Sequence, residues 1–231
     1  MIHPRDSSTN RFPIFEELNP DYANDSLLDF GGNQGNLLYF SQGKINEGTY
    51  TSIDNSLDGI ELGGAEFPKA DFVHWNRYNE MYNWNGNKNE PLPELKQHNY
   101  IWAYSVFSHM IVEDIIEAVS WMKTINAKRI VTSYLCNDGD ENSKKIMQYF
   151  YNRRIDQFGS TVDFRDNRDD YFYLTDNKYG CSSGRRSRTF IAVYNTKYLI
   201  NRLKQCGIIA KKITSTKTPI PFLEIAYENI D

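Results

Sequence analysis

The sequence is poor in cysteine: three in 231 residues. Cys136, Cys181 and Cys206 are far apart and form no C-x-x-C pair. That excludes a disulfide framework and a recognisable zinc site, and fits a reducing compartment. Cys136 and Cys206 adjoin apolar runs and read as buried thiols. Long hydrophobic runs are missing too. Nothing approaches the roughly 20 apolar residues of a membrane span. Residues 1–12 lack the apolar stretch of a secretory signal, so a cytoplasmic protein is expected. Positive charge is not in excess, with 26 Lys and Arg against 30 Asp and Glu and a net charge of -4. The pI of 5.6 argues against general affinity for nucleic-acid phosphates. Carboxylates clustered at metal-ligand spacing are also lacking, so no metal is expected.

What is present is enough for a core. The chain is 40% hydrophobic and 14% aromatic. A domain of this size buries roughly 70–75% of its unfolded surface. Residues 26–30, 50–54, 71–75, 100–106 and 128–135 read as strands. A short helix over 56–64 is expected to stop at Gly63 and Gly64. Over 112–125, Ile115, Ile116, Val119 and Met122 recur at helical spacing, opposite Glu113, Asp114, Glu117 and Lys123. After the fifth strand the rhythm breaks. A helix over about 141–158 leads into a polar, aromatic and basic stretch ending near 189. The alternation resumes with a strand at 190–195 and a helix at 196–206, which Gly207 is placed to cap. Strands follow at 208–213 and 222–228, separated by a short loop containing Pro219 and Pro221. Strands alternating with helices argue for βαβ units and a parallel sheet.

The most informative segment follows the first strand. Asp29-Phe30-Gly31-Gly32-Asn33-Gln34-Gly35 places glycines where a strand turns sharply and its backbone can approach a ligand. Asp54 ends the next strand, where a carboxylate can accept both hydroxyls of a ribose. Dinucleotide enzymes use the same logic with the spacing G-x-G-x-x-G. Started at Gly31, that pattern fails at Asn33 and Asn36; started at Gly32, it fails at Gln34 and Leu37. The pattern present is D-x-G-x-N-x-G.

That pattern resembles the first motif of class I methyltransferases that use S-adenosylmethionine (SAM), with Asn33 in place of the usual middle glycine. Residues 104–110, leading into the acidic helix at 112, look like the end of the fourth strand in small-molecule members. Residues 196–213 look like the late helix, its capping glycine and the next strand. The resemblance covers about 25–135 and 190–228. It implies a Rossmann-like three-layer α/β sandwich. The sheet would be seven-stranded and mostly parallel, with a C-terminal antiparallel strand and an inserted cap between strand 5 and the last helix. Residues 25–231 would form the methyltransferase domain, with an acceptor-binding insertion at about 138–189, and residues 1–24 an N-terminal lid or substrate-side segment carrying Arg11, Phe12 and Phe15.

The resemblance also implies a site. Asp29, Gly31, Gly32, Asn33, Gln34 and Gly35 would wrap the methionine part of SAM, and Asp54 would hold its ribose. Asn76 and Arg77 would flank the adenine, with Trp75 offering a face. Tyr104 and Ser105 would lie near the methionine part. His109 is the candidate catalytic base: it follows the fourth strand at the carboxyl edge of the sheet, and its ordinary pKa suits proton abstraction near neutrality. Packing against the following helix is the other role open to it. His74 and Tyr104 are weaker candidates. Lys178, Arg185, Arg186 and Arg188 form a local basic loop, which suits an anionic acceptor if it is not simply a solvated charge run. Tyr173 and Tyr179 would line the acceptor pocket together with Arg185, Arg186 and Arg188.

The expected activity is transfer of a methyl group from SAM, leaving S-adenosylhomocysteine. The acceptor would be an oxygen, with nitrogen second, of a small polar molecule: anionic or phosphorylated, such as a sugar, a nucleotide-linked intermediate or a phosphoramidate. The expected partners are that small-molecule acceptor and a second copy in a homodimer, with no nucleic acid and no membrane. Two alternatives remain, a NAD(P)-dependent oxidoreductase and a non-catalytic, methyltransferase-like binding protein.

Overall fold

The computed structural model describes residues 5, 7–79, 82–83, 85–141, 144–145, 162–165, 171–176 and 190–227, with the inserted strands as backbone alone. Helix α1 (Phe12–Leu18) comes first. Strand β1 (Leu27–Phe30) leads through the glycine bend into the short helix α2 (Asn36–Phe40). Then come β2 (Tyr50–Asp54), α3 (Leu57–Glu66), β3 (Asp71–His74), β4 (Tyr100–Ala103), α4 (Val112–Thr124) and β5 (Arg129–Ser133). Beyond lie β6 (Leu135–Cys136), β7 (Val162–Arg165), β8 (Tyr171–Asp176), β9 (Phe190–Tyr194), α5 (Thr196–Lys204), β10 (Ile208–Ser215) and β11 (Thr218–Tyr227).

Seven strands form one sheet in the order β10-β11-β5-β4-β1-β2-β3. β1 pairs in parallel with both β2 and β4. β11 is antiparallel to its neighbours β5 and β10. A central strand covered on both faces must be apolar on both, and all four residues of β1 are buried. Alternation assigns the faces. Leu28 and Phe30 join Ile101, Ile115, Val119, Met122 and Leu199 under α4 and α5. Leu27 joins Tyr50, Trp102, Val131 and Phe222 with Phe15 of α1 and Leu37 of α2. This is the expected three-layer sandwich. Successive strands step from β1 to β2 and β3, then jump back to β4. The order therefore reverses between β1 and β4, and the carboxyl ends there open a crevice.

Several expectations are corrected. α3 does not stop at Gly63 and Gly64 but runs to Glu66. A Cβ on Gly63 would fall 2.1 Å from Phe72 Cε1, so this glycine lets the helix lie close on β3. β4 ends at Ala103, three residues early. The strand expected at 128–135 divides, because β6 leaves the main sheet to pair in parallel with β9. The strand at 190 therefore lies outside the seven-stranded sheet. With the inserted β7 and β8 it forms a second sheet, ordered β6-β9-β8-β7. Pro219 and Pro221 lie inside β11 rather than in a loop. They precede Phe222, where pairing with β5 begins, so their missing N–H groups leave that ladder intact. Cys136 is buried as read, but Cys206 is exposed. Gly207 has φ +71 and caps α5 as expected. α1 packs into the core, with Phe15 edge-on to Trp102 at 5.4 Å. No described helix is long and apolar enough to cross a membrane.

Candidate active site

The bend after β1 is built from three left-handed residues: Gly31 at φ +81, Asn33 at +50 and Gly35 at +75. A Cβ on Gly31 would come within 2.4 Å of Val106 Cγ2, and one on Gly32 within 2.5 Å of Ser52 Oγ and 2.8 Å of Asp29 Cγ. The chain is thus wedged between the tips of β2 and β4, and only glycine fits. Asn33 occupies the position of the motif's middle glycine, where a short polar side chain tolerates left-handed geometry.

Asp54 points into this bend. Its Oδ2 accepts from the Asn33 N–H at 2.9 Å and its Oδ1 from the Ser56 N–H at 2.8 Å. The Asn55 N–H also donates to this carboxylate. A carboxylate has about four acceptor positions, so capacity remains, and Asp54 lines the cleft. Burial raises its pKa, and the backbone donors partly oppose that. Asp29 lies beneath the bend, 5% exposed. Its Oδ2 accepts from the Tyr50 hydroxyl at 2.6 Å. Burial lifts Asp29 to about 7; the Tyr50 bond opposes this and the Asp54 charge adds to it.

The cleft holds about 320 Å³ and runs along the tips of β3, β2, β1 and β4. At the β3 end, the Arg77 guanidinium lies 5.8 Å from the Trp75 ring centre. Its Nη2 pairs with Glu117 at 2.7 Å, and its Nη1 donates to the Glu90 carbonyl at 3.0 Å. Asp114, one turn before Glu117, also lines the cleft, and burial raises its pKa. At the β4 end, Ser105 is left-handed at φ +62, and its N–H donates to Ser133 Oγ at 2.6 Å. Just beyond it, the single 3-10 turn Phe107–His109 presents His109 to the cleft. The Tyr82 hydroxyl lies 3.4 Å from its Nε2, and the two rings meet edge-on at 5.3 Å.

No family model matches the sequence, and neither does any curated protein. Solved structures do match. A SAM-dependent methyltransferase from Clostridium acetobutylicum is 11% identical, with 94% of this chain and 90% of that one covered and a TM-score of 0.52. The CcbJ methyltransferase from Streptomyces caelestis is 9% identical, with 91% and 86% covered and a TM-score of 0.54. CalS10, an amino pentose methyltransferase from Micromonospora echinaspora solved with SAM, is 11% identical, with 92% and 86% covered and a TM-score of 0.53. The chain has the class I methyltransferase fold.

Within that fold, most of the residues singled out from the sequence come together. Asp29, Gly31, Gly32, Asn33, Asp54, Arg77, Tyr104, Ser105 and His109 all line the cleft. Three do not. Gln34 is buried behind the bend, where its carbonyl accepts from Arg5 Nη2 at 2.6 Å. Gly35 starts α2 and packs against Phe72. Asn76 is exposed outside the lining, and its side-chain oxygen accepts from Asn83 at 3.0 Å. His74, the weaker candidate, ends β3 and does not reach the cleft lining. Tyr173 falls in β8, opposite Ala192, where only backbone is described. Tyr179, Arg185, Arg186 and Arg188 lie outside the described residues, as does most of the helix expected at 141–158.

Sequence reasoning missed the neighbours that tune this methyltransferase-fold cleft. Tyr50 had a legible signal: it begins the strand beside β1 and registers with Leu27, two residues before Asp29. In sequence Asp114 reads only as part of a polar helix face. Tyr82 sits in an Asn- and Gly-rich loop with no local pattern to mark it.

Proposed function

We propose that the chain is a SAM-dependent methyltransferase acting on a small polar acceptor, at oxygen in preference to nitrogen. The observation that carries this reading is the Asp54 carboxylate. It is bound to the glycine bend on one side and keeps acceptor capacity toward the cleft on the other. Paired ribose hydroxyls suit that capacity. The backbone of Gly31 and Gly32 offers close approach to an amino-acid tail. SAM would supply a methyl group already activated by its sulfonium, so the protein's work is to orient and desolvate.

The acceptor lies on the His109 side in this reading. The His109 ring, with Tyr82 beside its Nε2, is placed to take the proton of a hydroxyl as that oxygen bonds to the methyl carbon and the carbon–sulfur bond breaks. A base of this kind favours oxygen, since a free amine needs none at its lone pair. An anionic acceptor, a phosphorylated sugar or a nucleotide-linked intermediate, rests on the sequence of the basic loop at 178–188. The amino pentose substrate named for CalS10 is consistent with an acceptor of that size.

Isothermal titration with SAM and with NAD tests the reading. SAM and its demethylated product should bind and NAD should not. NAD binding without SAM binding would turn the assignment to a nicotinamide oxidoreductase. SAM binding without turnover on any acceptor would favour a non-catalytic binding protein.

A further inference from the structure

Four acids line the cleft: Asp29, Asp54, Asp114 and Glu117. SAM carries a carboxylate of its own, and burying it among acids without a partner is costly. Two guanidinium groups reach the cleft to offset that charge, Arg11 and Arg77. Arg77 is already committed to Glu117 and the Glu90 carbonyl. Arg11 is not. Among the described residues its side chain makes no ion pair, and its hydrogen bond is a long one, 3.5 Å from Nη1 to the adjacent Asn10 carbonyl.

Arg11 is nevertheless well placed. Its carbonyl accepts from the N–H groups of Ile14 and Phe15, so its backbone is fixed at the head of α1. Phe12 and Phe15 anchor that helix in the core. Its guanidinium lies over the Tyr104 ring, 4.9 Å from the centre. A guanidinium stacked on a ring keeps its N–H donors in its own plane, free to form a fork with a carboxylate. Tyr104 directly follows β4. Sheet order puts β4 two strands from β2, about 10 Å from the tip bearing Asp54. Trp75 lies on the opposite side of Asp54, at the tip of β3. A nucleoside held at β2, with its base toward β3, thus directs its amino-acid end toward Arg11.

We propose that Arg11 is the binding residue for the α-carboxylate of SAM, a role that rests on the SAM reading above. The N-terminal segment then contributes directly to the cofactor site and is more than a cover for it.

The test is calorimetric titration of the full chain with SAM and with the decarboxylated analogue, which lacks only the α-carboxylate. Arg11→Gln should weaken SAM by about tenfold or more, the range for a lost charge-assisted bond. It should leave the decarboxylated analogue unaltered or tighter. Arg11→Lys, which keeps the charge and loses the fork, should fall between. Unchanged SAM affinity in a folded Arg11→Gln would overturn the assignment. Equal weakening of both ligands would overturn it too, since that marks a structural role. If the unaltered protein binds neither ligand, the SAM reading itself fails, and this assignment with it.

Discussion

At the tips of β1 and β2 the cleft wall is backbone, whereas at the tips of β3 and β4 it is side chains. The first wall is held by left-handed residues, by contacts too close for any Cβ, and by a carboxylate tied to backbone N–H groups. The second is held by pairs: Arg77 with Glu117, Tyr82 with His109, Arg11 with Tyr104. Backbone walls cannot be altered without disturbing the fold, so they suit a part of the site that serves any acceptor. Side-chain walls can change one residue at a time, so they suit chemistry and selection. In the proposed reading the first wall grips the ribose and the amino-acid backbone of the cofactor, and the second carries the reaction and, through Arg11, the cofactor's carboxylate.

If that division holds, substitutions in the two walls should fail differently. His109→Asn should lower turnover by roughly 10²–10⁴-fold at neutral pH, the usual contribution of a general base, with stability and SAM affinity nearly unaltered. Initial rates on an acceptor that the unaltered chain methylates give the first quantity, and titration gives the second. Intact turnover would return His109 to a packing role. Gly31→Ala should instead cost stability, about 3 kcal/mol, combining left-handed strain with overpacking against Val106. Urea unfolding measures it. Adding Val106→Ala should recover only the packing share, because the positive φ remains. Asp54→Ala removes the one side chain that completes the first wall. It should weaken SAM by roughly 1–3 kcal/mol, the cost of ligand hydroxyls left without a charged partner. Unaltered affinity in a folded variant would remove the ribose assignment.

The two walls also differed in how far the sequence revealed them. Backbone geometry leaves a local record. Glycines after an apolar run mark a turn, and an acid ending the next strand marks its partner, so the bend and Asp54 could be read from 26 residues of chain. Helix α4 was legible for the same reason, since its apolar spacing is local. Side-chain walls assemble residues distant in sequence: Tyr82 with His109, Arg77 with Glu117, Arg11 with Tyr104. No local pattern encodes such pairs. Gly63 shows the converse failure. In sequence a glycine pair reads as a helix stop, and only the Phe72 ring opposite reveals a packing position. The strand at 190 was likewise legible as a strand, but its partner is β6, and nothing in residues 190–194 says which sheet they join.

Asp29 offers the finest probe of the backbone wall. Its folded pKa is near 7 against an ordinary 3.8. Below about 4 it is protonated in both states, and above about 7 it is ionised in both. Between those limits the folded chain holds a proton that the unfolded chain has released, so this group makes stability fall as pH rises, by up to about 1.4 kcal/mol per pH unit. Asp29→Asn keeps an oxygen to accept from the Tyr50 hydroxyl but cannot ionise. The difference between the stability curves of the two proteins should therefore slope from pH 4 to 7 and level off above. Urea midpoints at half-unit steps would show it. A flat difference would mean that Asp29 is ionised throughout. The floor of the bend would then carry full negative charge at neutral pH, facing the cationic end of the proposed cofactor.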